Sequence, residues 1–499
     1  MKEHIARLML LLAVASMSGC AWLQSLPSVG PDYSEPELPQ PEFALPDAGS
    51  PTTNLTKTCE YEAASAGDDS RVTISRERTA QWWNRFDDAV LSNLVVSAVS
   101  NNVGYLMAQR RLEQANWQLL GSYAAFVPKF SGNGAWSRSW YRENTSRGQV
   151  VNANLMHLGL DAAWEIDIFG GDRRMTEAAL AQAEAAGWTV ADAWVSLTTQ
   201  LGKQYIRLRT TQERIEVART NLVLQSETYD ILRSRLDSGI GDELAVNQCA
   251  YIVEQTRARI PTLLAEEEAL KNSIAVLAGV MPGSLHEALV PDATGRDWLL
   301  APQKIAELPL DMIRSRPDVK AAERDLAAQT AMIGVAKGQW FPKLHITGSV
   351  GWESTPKEDR LFSRDSFFAS LGPSISWPIF QGGAIYANVK ATEAKMEEFA
   401  LAYELALQNA YGEVRDAYSA YTQEYHRYQA LREAVKAATD AVAISKDLYK
   451  NGLKDFNNVL DAQRSRLQLE EEFAISRGQI TIGLIELYKT LGGGLAVSE

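Results

Sequence analysis

The stretch that decides the fold is residues 367–380, FFASLGPSISWPIF, in which apolar and polar side chains alternate. Residues 156–169, MHLGLDAAWEIDIF, alternate in the same way and end on the same Ile-Phe pair, 211 residues earlier. Alternation with a period of two predicts β-strands that have one apolar and one polar face. Because the pattern occurs twice, it also predicts that the chain is an internal duplication.

Further matches extend the repeat over most of the chain. Val127-Pro128-Lys129 recurs as Phe341-Pro342-Lys343 after 214 residues, and three pairs recur after 213, namely Tyr205 with Tyr418, Gly239 with Gly452 and Gly279 with Gly492. Repeat 1 is therefore expected over residues 81–281, with strands at about 128–168 and long helices at about 172–279. Repeat 2 is expected over residues 310–494, with strands at about 342–380 and helices at about 384–491. An inter-repeat equatorial link is expected at 282–309, and a C-terminal tail at 495–499.

The strands are followed by stretches without proline, between residues 171 and 260 and after residue 378. Apolar residues recur there with 3-4 spacing in the same register in both repeats, and the stripe weakens at Ser445 and at the Gln225 and Ala438 step. This spacing predicts a coiled-coil seam, and a helix over residues 176–237 would be ~90 Å long.

Glycines end each of these helices. Gly239, Gly241 and Gly452 are typical of helix ends, and new helices are expected to begin near Asp242 and Phe456. Each repeat should therefore form an antiparallel helical hairpin.

Composition excludes several classes of function. Asp and Glu number 62 against 49 Lys and Arg, a formal net charge of −13, so we expect no nucleic-acid partner. The three cysteines form no CxxC pair, and the five histidines are scattered without an HExxH motif. The sequence also contains no P-loop and no nucleophile elbow. We therefore expect no cofactor, no metal site and no enzymatic activity.

The first residues have the pattern of an export signal. Lys2 and Arg7 precede an apolar run at residues 8–14, which is too short to span a bilayer. Residues 1–19 are thus a predicted signal peptide. Cys20 resembles the acylated cysteine of a bacterial lipobox, with Met17 where Leu is usual, and Ala21 after it indicates outer-membrane sorting. The alternative is an ordinary signal peptide with an incidental cysteine.

Residues 20–80 are predicted to be a lipidated, extended N-terminal segment. Seven prolines between residues 27 and 51 prevent a helix and favour an extended tether. In an oxidising periplasm Cys59 could pair with Cys249, or both thiols could stay free.

Two locations are open for the strands: the edge of a soluble sheet, or a membrane. Long polar loops at 142–151 and 353–365 favour the membrane. So do the aromatic residues near the strand ends, which are Trp136, Trp140, Tyr141, Trp164, Trp352 and Trp377. No stretch reaches the ~18 consecutive apolar residues of a membrane helix, so a crossing would use strands. Four strands are too few for a barrel, so several chains would have to build it.

Several motifs resemble those of the TolC/OprM family of outer-membrane efflux channels, in its lipoprotein branch. In chain order they are Val29-Gly30-Pro31-Asp32-Tyr33, Trp82-Trp83-Asn84-Arg85-Phe86-Asp87-Asp88, Arg316-Pro317-Asp318-Val319, Trp377-Pro378-Ile379-Phe380, Asn458-Val459-Leu460-Asp461-Ala462-Gln463-Arg464 and Leu491-Gly492-Gly493-Gly494. The resemblance covers essentially the whole mature chain. It implies a mainly α fold with a membrane β part. Three chains, with four strands each, would close a twelve-stranded β-barrel that continues as a long antiparallel coiled-coil α-barrel.

The resemblance also implies a function. The chain would be the outer-membrane channel of a tripartite efflux system, a passive homotrimeric duct that exports small molecules such as drugs. It would be lipid-anchored in the outer membrane, in contact with outer-membrane lipid, and extend into the periplasm. Its implied partners are a periplasmic adaptor (membrane fusion) protein and an inner-membrane efflux pump of the resistance-nodulation-division (RND) type.

Three alternatives remain at this point. A type I protein-secretion duct would use the same fold, and a lipid-anchored periplasmic coiled-coil adaptor would use the long helices. A lipid-anchored hydrolase would use carboxylates such as Glu165 and Asp167 on the polar strand face.

Acidic and amide residues gather where the last helix begins. Their position alone is more typical of helix capping than of function. The resemblance implies a periplasmic gate here, in which Asp461 lines the constriction and Asn458 lies one turn earlier, where Asp is frequent in the family. Lys454 and Asp455 lie beside them, and Lys454 is a candidate for pairing with a carboxylate on a neighbouring helix. The corresponding residues of the first tip are Asp242 and Glu243.

Overall fold

The computed structural model of the chain describes residues 28–36, 72–73, 82–142, 150–291, 305–307, 311–354, 361–451 and 453–493. The predicted signal peptide, Cys20, Cys59, Gly452 and the tail at 495–499 lie outside the described residues, as do parts of the N-terminal segment and of the inter-repeat link.

Each repeat has its strands first and its long helices afterwards. The strands are β1 (Val72–Thr73), β2 (Lys129–Arg142), β3 (Val150–Ile166), β4 (Ile305–Glu307), β5 (Lys343–Ser354) and β6 (Phe367–Ser376). The helices are α1 (Ala89–Asn101), α2 (Val103–Tyr123), α3 (Gly171–Asp237), α4 (Glu243–Leu277), α5 (Asp311–Arg314), α6 (Pro317–Gly338), α7 (Ala384–Lys450) and α8 (Phe456–Thr490). The helices α3 and α7 have 67 residues each and are therefore ~100 Å long.

The sequence of residues 91–123 by itself predicts one helix, but the structure contains two, because the chain breaks at Asn102. The Asn102 side chain bonds on both sides of this break. Its Oδ1 accepts a hydrogen bond from N of Tyr105 at 2.9 Å, and its Nδ2 donates to O of Leu277 at 3.0 Å. Asn102 therefore caps α2 and satisfies a carbonyl in the last turn of α4.

Strands β2, β3, β5 and β6 form one antiparallel sheet in that order, and β1 pairs with β4 in a separate parallel pair. The register places Leu160 opposite Val350 and Gly348 opposite Leu371. The apolar residues of neighbouring strands therefore share one face, and the alternation that the sequence predicts is confirmed.

The two faces of this sheet differ in chemistry. On one face, Leu371 and Ile375 are 82% and 73% exposed. On the other face, Asn133 donates a hydrogen bond to Asp161 and bonds to Nε2 of His157 at 2.9 Å. An exposed apolar face of this kind needs an apolar neighbour outside the chain.

The chain divides into two compact units, of which the first comprises the described residues within 1–38, 111–187 and 321–404. It contains the four-stranded sheet. Below the sheet, the rings of Phe169, which follows β3, and Phe341, which precedes β5, stack with centroids 4.7 Å apart.

The segment at residues 28–36 packs where β3 ends and α3 begins. N of Val29 donates to O of Phe169 at 3.1 Å, and Nε of Arg174 donates to O of Val29 at 3.3 Å. The approach is so close that a Cβ on Gly30 would lie 2.5 Å from Cα of Gly334. Only glycines fit there, which explains Gly30 in the Val-Gly-Pro-Asp-Tyr motif.

The second unit comprises the described residues within 39–110, 188–320 and 405–499. An ion cluster of this unit is built on Arg316, which is 6% exposed. The Nη2 of Arg316 donates to Asp318 at 2.8 Å and to Glu413 at 2.7 Å, and its Nη1 donates to O of Thr490 at 3.0 Å. The Arg-Pro-Asp-Val motif therefore holds the start of α6 to α7 and to the last turn of α8.

Candidate functional site

The two helical tips lie in the second unit and pack against each other. Gly239, in the first turn, has a φ of 75°. Buried residues of both hairpins form one apolar tip cluster, which consists of Leu232, Ala245, Val246, Cys249, Ile252, Phe456, Val459 and Leu460. Tyr229, Leu236 and Tyr449 pack against it. The tip cluster therefore holds the α3–α4 turn to the α7–α8 turn through side-chain burial.

At the first tip, the acidic residues serve the helix start. Asp242 is the N-cap of α4, and its carboxylate accepts a hydrogen bond from N of Leu244 at 2.9 Å. Glu243 lies in the first turn of the same helix and is exposed. Both positions are favourable for negative charge at a helix N-terminus.

At the second tip, the corresponding carboxylate does not cap its helix. Asp455 has the extended backbone of an N-cap, but its side chain accepts no capping hydrogen bond. Nδ2 of Asn458 instead donates to the backbone O of Asp455 at 3.2 Å. The carboxylate of Asp455 is therefore exposed and not engaged by the helix start.

Asp461 is a strongly exposed carboxylate near this turn, with 76% of its side chain accessible. Its Oδ1 lies 3.7 Å from Nη1 of Arg464, one turn further along α8. The guanidinium of Arg464 in turn lies 5.1 Å from the ring centre of Tyr251 on α4. Asp461 is thus next to a cation that links the two hairpins.

A second cation–π contact also crosses between the hairpins. The guanidinium of Arg235 on α3 lies 5.3 Å from the ring centre of Tyr449 on α7. At exposed sites such contacts contribute ~0.5–1 kcal/mol each. The sequence analysis missed both arginines. The only available signal was the position of Arg464 at the end of the Asn458–Arg464 motif.

Lys454 is exposed in the turn and has no ion-pair partner among the described residues of the single chain. Its pairing with a carboxylate on a neighbouring helix stays a prediction for the assembled channel.

Cys249 is a free thiol in the tip cluster and is 1% exposed. Its Sγ donates to O of Gln225 at 3.8 Å, and burial raises the pKa of the thiol to about 11. A thiol in this environment stays protonated and contributes packing.

Among the described residues, no helix combines the length and the apolarity that crossing a membrane requires. In the same part of the chain, no group of three or more His, Cys, Asp or Glu side chains is placed to hold a metal ion.

An antiparallel four-stranded sheet joined to two very long helical hairpins, within a tandem repeat, is the architecture expected of an outer-membrane channel. A profile of the family described as outer membrane efflux protein matches this sequence twice, at residues 94–280 and 308–493. The chain belongs to this family. The resemblance seen in the sequence motifs, the mainly helical fold class and the localisation in the outer membrane with extension into the periplasm are confirmed.

Relatives cover nearly the whole chain. Nodulation protein T of Rhizobium leguminosarum bv. viciae is 30% identical over 475 residues, which are 94% of this chain and 91% of that protein. Outer membrane protein OprJ of Pseudomonas aeruginosa is 29% identical over 449 residues, 88% of this chain and 93% of the relative. The solved structure of the outer-membrane channel OprN is similar with a TM-score of 0.81 and 31% identity, over 93% of this chain and 99% of OprN.

The predicted function as an outer-membrane channel of a tripartite efflux system is confirmed. Channels of this family work with an adaptor and an inner-membrane pump, and the structurally similar OprN is an outer-membrane channel.

Proposed function

We propose that three copies of this chain close one passive duct for small molecules such as drugs. The main observation in favour of this proposal is the four-stranded sheet. Within the described residues, β2 and β6 each pair on one side only, and apolar side chains of the sheet are exposed. Unpaired strand edges in hydrocarbon would leave backbone groups unsatisfied. Pairing of β6 with β2 of the next copy would satisfy these edges, and lipid would cover the apolar face.

The duct would obtain its energy from its partners. We propose a periplasmic adaptor and an inner-membrane pump of the RND type, in keeping with the tripartite systems of the family. The polar face of the sheet would line the lumen. There, the side chains of Asn133, His157 and Asp161 would form hydrogen bonds with water and hydrated solutes.

The alternatives have less support. A periplasmic coiled-coil adaptor leaves the sheet without a role. A hydrolase is disfavoured because Nζ of Lys343 donates to Glu165 at 2.7 Å and N of Arg173 donates to Asp167 at 3.0 Å, so both carboxylates hold neighbouring groups in place. A type I protein-secretion duct would share this fold, and the predicted lipid anchor at Cys20 is what favours small molecules.

We place the periplasmic gate at the second tip. In a threefold assembly, Asp461 of each chain would contribute to one ring of carboxylates at the narrow end of the helical tunnel. The high exposure of the Asp461 carboxylate in the single chain supports this position, since its only ion-pair partner among the described residues is Arg464. Asn458 is neutral, so one acidic ring is expected here instead of two.

Planar-bilayer conductance of the purified trimer tests both the duct and its gate. The wild-type trimer should form cation-preferring channels that trivalent cations block, because a carboxylate ring in a water-filled throat attracts cations. Asp461→Ala should reduce the cation preference and raise the Kd of the blocking cation about tenfold, which corresponds to ~1.4 kcal/mol. The matched control is Asp242→Ala, which removes a capping hydrogen bond and should leave selectivity unchanged. Unchanged selectivity in Asp461→Ala would move the gate elsewhere.

The predicted anchor at Cys20 should be dispensable for membrane insertion. The acyl chains on one cysteine supply only part of the membrane affinity, whereas a closed barrel is held by its whole apolar band. After replacement of Cys20 by Ser behind a cleavable signal, we expect the trimer in the outer-membrane fraction at close to the wild-type level. Recovery of a soluble periplasmic trimer would contradict the membrane assignment of the strands.

A further inference from the structure

Three buried polar side chains, each on a different helix, interrupt the apolar pattern of the helical hairpins just beyond the tip cluster, and we call them the polar layer. Its members are Gln225 of α3, Thr256 of α4 and Gln463 of α8, which are 2%, 2% and 7% exposed. On each helix, buried apolar residues flank the polar one on both sides along the chain: Ala218 and Leu232, Ile252 and Leu263, Leu460 and Leu467. Cys249 of the tip cluster donates to O of Gln225, so the polar layer borders this cluster directly.

The two glutamines of this layer are not satisfied. Nε2 and Oε1 of Gln225 and Oε1 of Gln463 have no hydrogen-bond partner among the described residues. Less than 1 Å² of each atom is accessible within the single chain, so neither water nor a second copy reaches it in this packing. Unpaired buried amide groups are rare because they forgo the hydrogen bonds that water supplies.

Other buried amides of the same helices do have partners. Nε2 of Gln212 donates to Glu267 at 3.0 Å and to O of Leu289 at 2.8 Å. Nδ2 of Asn221, one turn from Gln225, donates to Glu470 at 2.8 Å. Buried amides elsewhere on these helices are therefore paired, and the two glutamines of the polar layer differ from them.

We propose that the polar layer is a hinge of the helical hairpins. When the channel opens, the helix segments that carry the tip cluster bend away from the rest of the seam at this layer. This inference rests on the proposed gate at the second tip. Separation exposes the apolar side chains of the tip cluster to water, which opposes opening. The same movement lets water bond to the amides of Gln225 and Gln463, which favours opening. The polar layer thereby brings the closed and open states closer in free energy.

Replacement of each glutamine by methionine tests the hinge, because methionine keeps the length of the side chain and removes the amide. We expect Gln225→Met and Gln463→Met each to raise the Tm of the detergent-purified trimer by roughly 2 °C. In planar bilayers, each substitution should lower the open probability about tenfold, at unchanged trimer levels in the outer membrane.

Two further variants serve as controls. Gln212→Met removes a buried amide that has partners, so its Tm should fall. Ala438→Gln adds an amide at the position of the second repeat that corresponds to Gln225, so its open probability should rise.

A lower Tm for Gln225→Met would overturn the proposal, because it would show that the amide has partners in the assembled channel. A higher Tm with unchanged opening would overturn the hinge role. Neither result concerns the ion selectivity that Asp461→Ala reports. If Asp461→Ala left selectivity unchanged while Gln225→Met still reduced opening, the acidic ring would be wrong and the hinge would stand.

Discussion

Replacement of Gly279 by alanine should cost the chain several times more stability than replacement of Gly239, although the two glycines have nearly the same backbone conformation. Their φ angles are 73° and 75°. This left-handed conformation costs an L-residue about 1–2 kcal/mol. At Gly239 nothing lies within 4 Å of an added Cβ, so this strain is the whole expected loss.

At Gly279 the added Cβ would also meet the backbone. It would lie 2.3 Å from both C and O of Asn101, where the end of α1 meets the end of α4. That backbone is fixed from the next residue, because Nδ2 of Asn102 donates to O of Leu277. Strain and overpacking together should reduce the free energy of unfolding by about 3–5 kcal/mol.

Thermal unfolding of the purified trimer, and its level in the outer-membrane fraction, measure this difference. Gly239→Ala is the matched control, since it has the same strain without the clash. Equal losses in the two variants would contradict the close packing of α1 against α4.

The duplication and the element types were predictable because they rest on short-range patterns. The alternation through Leu371 and Ile375 requires only that neighbouring side chains of a strand point to opposite faces. The long helices follow from the lack of proline and from 3-4 spacing, which any stable long helix needs. The break at Asn102 was missed because asparagine in a helical pattern is unremarkable until its side chain finds the carbonyl of Leu277 on another helix.

The candidate gate was only partly visible in the sequence. Asp242 and Asp455 look equivalent, since each precedes a helix after a glycine turn, yet one caps its helix and the other does not. The links from Arg464 to Tyr251 and from Arg235 to Tyr449 join residues more than 200 positions apart. Such pairs depend on how the hairpins pack, and no local spacing in one sequence encodes them.

The largest contrast in assembly is expected between Leu371→Arg and Ser370→Arg in strand β6. The two residues are neighbours near the middle of the strand, and both are exposed in the single chain. Leu371 lies on the apolar face, opposite Gly348, and is 82% exposed. Ser370 lies on the polar face, where its Oγ is 3.2 Å from Oγ of Ser349.

If the apolar face meets lipid, arginine at position 371 costs ~2–4 kcal/mol in each chain, and a threefold assembly incurs this cost three times. The heat-resistant trimer should therefore fall by tenfold or more in Leu371→Arg and stay within about twofold of wild type in Ser370→Arg. The same contrast is expected for Ile346, Val350 and Ile375 against Ser349 and Ser374. Loss of trimer in Ser370→Arg alone would show that the polar face meets lipid, which would reverse the sheet. Equal loss in both variants would mean that neither face lines water, and the duct through the strands would have to be abandoned.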